Sequence, residues 1–482
     1  MKKIVLLIAF IALSVSCSDD ITGLNDDTKN ATTTKSEYLF TNAQKSLVDQ
    51  MTSTSVNLNV FRLFSQYWTE TTYPDESQYD ITTRVIPDNH FRILYKDVLK
   101  DLLEAKMLLN AEVPPSPEAT AVLNNKKAIV EILTAYSYSI LVDTFGNVPY
   151  SEALDIEAHP LPKYDDAQTI YKDLIVRLTA ASGLLTSGSD SFGDADLIYG
   201  GDAAKWKKFA NSVKLRLAVN MDDVDHAYAT AQITAAIAAG VITSNADNTN
   251  LNYLPLQPNA NPLYADLVVS GRNDFVIANT FVDKMNTLND PRREKYFTLA
   301  ASGTYKGGIY GASNSFGSFS HVSATIADPT FPGTIFDYTE VEFLLAEAAA
   351  RGVAVGGTAE THYNAAITAS MENWGVDAAS IAAYLAQGSV AYTSATGTWQ
   401  QKIGEQAWLG LYNRGFESWT SYRRLDFPNL LPPATTFNGL TAVPKRYSYP
   451  AREQTLNATN VTAAITAIGG NTLLTKVFWD KH

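Results

Sequence analysis

Apolar positions recur every three to four residues along most of this chain. Ile129, Ile132, Leu133, Tyr136 and Ile140 fall on one face of a 3.6-residue period. Trp206, Phe209, Ala210, Val213 and Leu217 form a second such stripe. Val341, Leu344, Leu345 and Ala348 form a third, inside an alanine-rich run of high helix propensity. The same spacing predicts helices near 38–52, 56–69, 90–110, 166–185, 227–239, 278–287, 360–373 and 403–422. Short Gly/Pro/Asn punctuation joins several of them, as in Gly146-Asn147-Val148-Pro149 and Asp290-Pro291. The expected fold is mainly α, with helices paired as hairpins and stacked in the manner of a solenoid, although no clean repeat of fixed period is present.

The periodicity lapses in three places. Residues 243–335 are rich in Asn, Gly, Ser, Pro and aromatics (NLNYLPLQPNANPLY, then GTYKGGIYGASNSFGSFS) and read as loops and short strands. A long irregular segment inside a compact domain is usually functional. Thr71 to Asp80 (TTYPDESQYD) is a second loop, and residues 427–456 form a third, Pro-rich zone. The N-terminus differs again. A basic Met1-Lys2-Lys3, an apolar run from Ile4 to Leu13, then Ser14-Val15-Ser16 before Cys17 has the layout of a secretory signal peptide. The apolar run is shorter than the roughly 20 residues a membrane-spanning helix needs. Cys17 is the one cysteine of the chain, so it has no internal disulfide partner. Its position resembles a bacterial lipobox, with Ser14 where Leu is commonest, and marks it for lipidation. Residues 18–35 (SDDITGLNDDTKNATTTK) are too polar to bury a core and read as a tether. The expected organisation is therefore a signal peptide at 1–16, a lipidated flexible tether at 17–36 and a single domain at 37–482.

Charge and composition narrow the function. Thirty-seven basic against 50 acidic residues give a net charge of −13, which repels nucleic-acid phosphates. Tyr (25) exceeds Phe (20), and seven Trp are present, a supply of rings with polar tips suited to sugars or peptides. The histidines at 90, 159, 226, 321, 362 and 482 show no metal-ligand or triad spacing. Asp75 with Glu76 reads as a solvated turn rather than an opposed glycosidase pair. Gly307-Gly308-Ile309-Tyr310-Gly311 lacks the Lys-Ser/Thr of a phosphate loop. The chain reads as a non-enzyme without a cofactor or metal.

Five blocks together resemble the SusD/RagB family of outer-membrane nutrient-binding lipoproteins. They are AYSYSILVDTFGNVPYSEA at 135–153, YGGDAAKWKKFANSVKLRL at 199–217, YTEVEFLLAEAAARG at 338–352, IGEQAWLGLYNRGFESWTSYRRL at 403–425, and PKRYSYPARE at 444–453 followed by KVFWD at 476–480. They run in the family's order over nearly the whole chain. Gln66-Tyr67-Trp68 is similar to one branch of that family. The acidic Ser18-Asp19-Asp20 resembles the surface-export signal of Bacteroidetes lipoproteins.

The resemblance implies a helical scaffold of tetratricopeptide-like helix pairs that carries an irregular, loop-rich ligand region with short strands. It implies a lipid-anchored, surface-exposed outer-membrane protein that passes a glycan to a SusC-like TonB-dependent β-barrel transporter. A peptide ligand, or a role as surface scaffold or enzyme accessory subunit, is the alternative. The family's ligand surface projects onto Trp68, Tyr73, Glu76 and Tyr79 of the first loop and onto Arg272, Asn273, Asp274, Tyr305, Tyr310, Asn314 and Phe316 of the long one. Trp68 has a helix-packing alternative, and Arg272-Asn273-Asp274 a helix-capping one. The best-matching blocks themselves read as architecture. Gly146 lets a helix end in a left-handed cap before Pro149. Arg423 and Arg424 are expected to pair with Glu340, Glu342 or Glu347.

Overall fold

Seven of the major helices start where a short polar side chain takes up backbone N–H groups that the first turn leaves free. In the computed structural model, which describes residues 33–482, Ser116 accepts from the Ala119 amide and Asp166 from that of Thr169. Asp202, Asp225, Asp337, Thr358 and Thr398 do the same further along. The signal peptide, Cys17 and the tether as far as residue 32 lie outside the described residues. The helices that organise the body are α1 (Ser36–Thr52), α2 (Lys100–Ala111), α3 (Pro117–Phe145), α4 (Ala167–Leu184), α5 (Ala203–Asn220), α6 (His226–Ala239), α7 (Tyr338–Ala350), α8 (Ala359–Asn373), α9 (Trp399–Gly410) and α10 (Gly415–Leu425).

These helices pack as sequential hairpins: α3 on α4, α4 on α5, α5 on α6, and α7 on α8, with α9 against both α7 and α8 and beside α10. The fold is mainly α, and residues 36–482 form one compact unit. Helix α3 is apolar and long enough to cross a membrane by composition, yet 89% of its most apolar window is buried inside the body. It ends at Gly146, whose φ of +85° permits the stop and whose N–H returns to the Val142 carbonyl.

Three antiparallel two-stranded ribbons complete the body. β1 (Trp68–Glu70) pairs with β5 (Phe275–Ile277), β2 (Val148–Pro149) with β3 (Tyr164–Asp165), and β4 (Thr249–Leu251) with β6 (Gly333–Phe336). In the first, Trp68 faces Ile277 and Glu70 faces Phe275. That ribbon ties the early loop to the long irregular segment.

Two expected helices take another form. The 56–69 pattern yields only a turn of helix at Phe61–Phe64. Gln66 then adopts φ +53° and sends Tyr67-Trp68 into β1. The 403–422 pattern splits at residues 411–414 into α9 and α10. Asn413 sits at φ +71°, and a Cβ on Gly415 would lie 2.4 Å from the Arg62 backbone nitrogen. Close backbone approach, invisible in a periodicity, breaks the helix there. Helices at Ala378–Leu385, Ala451–Leu456 and Ala458–Ile468 were not expected, the second inside the loop-rich 427–456.

Buried ion pairs tie the hairpins together. Arg424 pairs with Glu347 at 2.9 Å, as expected, and donates to Asn220. Arg423 does not meet a carboxylate. It donates to the Asp143 and Lys445 carbonyls and lies 3.4 Å over the Trp419 ring. Glu340 is held by Arg414 and Arg216 instead, and Glu342 contacts His362 at 2.7 Å.

His90 lies fully buried against Phe61 and Tyr447, its Nδ1 2.9 Å from the Gln50 amide nitrogen. Burial pushes its pKa down to about 3. The folded state therefore holds His90 neutral, and its contribution to stability is lost as pH falls from about 6.5 toward 3. Urea denaturation between pH 6.5 and 4 is expected to weaken by up to about 1.4 kcal/mol per pH unit more in the parent than in His90→Gln. Equal slopes would show that His90 does not titrate on unfolding.

Candidate ligand-binding face

The two irregular segments meet at the β1–β5 ribbon. The Thr71 amide donates to the Asp274 carbonyl at 2.9 Å, and Thr71 Oγ1 to that of Asn273 at 2.6 Å. This pairing brings Tyr73 beside Arg272 and Asp274 around a shallow recess whose other walls are Val56, Glu70, Thr72, Arg84 and Phe275. Tyr73 is 62% exposed and stands three residues beyond the end of β1. Arg272 Nε holds Asp274 Oδ2 at 2.6 Å, and both side chains face solvent. Arg272-Asn273-Asp274 leads into a strand rather than capping a helix. An exposed ring beside a guanidinium and a carboxylate can stack on a sugar C–H face while bonding its hydroxyls.

The loop beyond contributes less than expected. Phe316 is half-buried and stacks on His321 with ring centres 3.8 Å apart. Tyr305 is half-buried against Phe297 and under the Arg293 guanidinium, away from the recess.

Five expected contact residues are interior. Trp68 is fully buried in β1. Its Nε1 donates to the Tyr412 hydroxyl at 3.0 Å, and Arg62 lies 5.2 Å over its ring. Tyr79 is fully buried at φ +75°, edge-on to Phe64. Tyr310 is buried and donates to the Leu63 carbonyl at 2.7 Å. Asn314 gives its amide N–H groups to the carbonyls of Glu70, Ile309 and Ala312 and accepts from the Ile309 amide, so it fastens the turn. Glu76 is buried and paired with Arg84. Trp68, Tyr310, Asn314 and Glu76 spend the polar groups that looked available for ligand on backbone or side-chain partners, whereas the Tyr79 hydroxyl is buried with no hydrogen-bond partner.

Beneath the recess sits a feature the pattern did not disclose. Glu70 accepts from the Ser77 amide and hydroxyl at 2.8 and 2.9 Å. Burial and then the neighbouring Glu76 raise its pKa to about 9. Two carboxyl groups thus lie against each other under the first loop, one of them protonated at neutral pH. The only trace in the sequence is Glu70 at an inward strand position six residues before Glu76.

A family model described as "Starch-binding associating with outer membrane" (SusD-like) matches residues 28–450. The chain belongs to the SusD-like family. None of the curated proteins compared matches it. Among solved structures, a chitin-binding protein is 27% identical with a TM-score of 0.79, covering 93% of this chain and 100% of that one. A SusD homologue from Bacteroides uniformis is 26% identical with a TM-score of 0.78, covering 92% and 100%. A chitin-binding SusD homologue from Flavobacterium johnsoniae is 23% identical with a TM-score of 0.76, covering 92% and 98%, which shows the shared fold. SusD-like proteins are binding proteins rather than enzymes. In this SusD-like chain, no group of three or more His, Cys, Asp or Glu among the described residues is placed to hold a metal ion.

Proposed function

We propose that this protein is a glycan-binding protein associated with the outer membrane, anchored through a lipidated Cys17 and facing outward. It captures an oligosaccharide on the β1–β5 face and delivers it to a SusC-like TonB-dependent barrel. The observation that carries the reading is the family match over residues 28–450, to a family described by starch binding and outer-membrane association. The chitin-binding relative at 27% identity supports a glycan over a peptide. On the face itself, Tyr73, Arg272, Asn273 and Asp274 offer the exposed ring and polar partners. Phe316 and Tyr305 are the outlying contributors.

Affinity electrophoresis through gels cast with soluble starch or glycol chitin tests the site. Tyr73→Ala is expected to weaken retention about tenfold, the loss that one stacked ring accounts for. Tyr305→Ala is expected to weaken it less. The helical circular dichroism of both should equal that of the parent. Retention of the parent by neither polymer would sink the glycan reading. Unaltered retention of Tyr73→Ala would move the site elsewhere. Recovery of a barrel-sized partner with the protein from detergent-solubilised outer membranes tests the delivery step.

A further inference from the structure

A sizeable cavity lies away from the loop face. It has a volume of about 450 Å³, within the range of small-ligand sites. It opens where the C-terminal end of α8 and the α9–α10 junction meet the β4–β6 ribbon, and none of the loop residues expected to bind ligand lines it. One wall is aromatic: half-buried Trp374 at the end of α8, with Phe331 and Tyr412 at ring distances of 5.9 and 6.2 Å from it.

The remaining lining is rich in hydrogen-bond donors with capacity to spare. Asn413 commits its side-chain oxygen to Arg62 Nε at 2.7 Å, and Asn250 commits its own to Thr334 at 2.7 Å. Both are left with an NH2 group to offer. Arg62, itself buried, spends three of its five N–H groups on Asn413 and on the Ser53 and Thr52 carbonyls. Arg414 is buried with no hydrogen-bond partner for its Nε. Buried donors left unmet cost free energy, so a site that keeps them is built for an acceptor. Charge sorts the acceptors. Arg62 and Arg414 face Asp337 and Glu417 across the same space, so the cavity walls are balanced and give no net attraction to an anion.

We propose that this cavity is a second, enclosed binding site for one end of a neutral saccharide bearing a carbonyl acceptor, of the N-acetylhexosamine class, with its ring face on Trp374. The acetamido carbonyl meets the Asn413 and Arg62 donors, and the ring hydroxyls meet Asn250. Only the choice of a sugar probe rests on the glycan reading above; the cavity and its donors stand apart from it.

Titration calorimetry of the full chain with N-acetylglucosamine, glucose and glucuronate tests the site. N-acetylglucosamine should bind saturably at one site and more tightly than either other sugar. Trp374→Ala should weaken it about tenfold, as expected for a lost stacking ring. Thr325→Trp plugs the cavity mouth from an exposed position. It should abolish binding while melting like the parent. No saturable binding to the parent, or undiminished binding to Thr325→Trp, overturns the proposal, and so does a preference for glucuronate or glucose. A parent retained by polysaccharide gels that ignores the monosaccharide overturns the cavity site alone. One that takes up the monosaccharide yet is retained by no polymer overturns the loop-face reading alone.

Discussion

Arg414→Met is expected to destabilise the protein by on the order of 3–5 kcal/mol, the cost of leaving a buried charge without its counter-charge. Arg414 sits just before α10 and reaches three carboxylates: Glu340 through Nη2, Asp337 at 2.8 Å, and Glu417 at 3.7 Å. The Asp337 contact is out of line for a hydrogen bond, so it acts mainly as an ion pair. Removing Arg414 leaves these three acids with Arg216 alone, 3.3 Å from Glu340 and 4.0 Å from Glu417. Burial already pushes Asp337 and Glu417 above the usual carboxylate range, and Arg414 opposes that push. Without it they rise further and bind protons that the unfolded chain releases. Stability of the variant then falls as pH rises through the carboxylate range and beyond. Its deficit against the parent should be smaller at pH 5 than at pH 8 in urea denaturation. Arg92→Met, at a half-exposed pair with Asp97, should cost under about 1 kcal/mol. A deficit for Arg414→Met no larger than that control, or one that grows toward low pH, would refute the account.

The scaffold was legible because burial imposes a period. Expected spans of 166–185, 227–239 and 360–373 match α4, α6 and α8 to within a residue at either end. The α9–α10 break escaped notice because its cause lies hundreds of residues away in sequence, at the Arg62 backbone against which Gly415 packs. Trp68 misled for a related reason. Its sequence neighbours form a loop, but its pairing with Ile277 places it under the surface. Exposure of a loop aromatic depends on which strand the loop joins, and nothing local encodes that. Tyr73 could be read as exposed because it stands beside Pro74 in a polar loop, but the same reading fails for Tyr79, which is buried. Asn314 illustrates the opposite case: an amide in a Gly/Ser loop is as well suited to fastening the turn as to holding a ligand, and here it does the former. The cavity beside Trp374 is built from six separate stretches of chain, so no motif could have announced it.

Glu70→Gln is expected to stabilise the protein near neutral pH, against the ordinary direction of substitutions at buried sites. Glu70 has a pKa of about 9 in the folded state and about 4.3 when unfolded. Between those values the folded chain binds a proton that the unfolded chain releases. The Glu70 contribution is therefore fully present below about pH 4.3 and is lost as pH rises toward 9. By pH 7 that loss is on the order of 4 kcal/mol. Glutamine keeps an oxygen for the Ser77 amide and hydroxyl and supplies an N–H toward Glu76, so it reproduces the protonated acid without the proton. The variant should equal the parent near pH 4.5 and exceed it increasingly up to pH 9, read as urea midpoints at each pH. Glu76→Gln should behave differently, because it takes the counter-charge from Arg84, which pairs with Glu76 from a partly exposed position. If Glu70→Gln is less stable than the parent at pH 8, the buried carboxyl is ionised in the folded state and the two acids do not share this arrangement. The outcome bears on ligand capture, since Glu70 and Glu76 lie at the two ends of the turn that carries Tyr73. A parent that loosens this turn as pH rises should lose polysaccharide retention above neutrality, and Glu70→Gln should keep it.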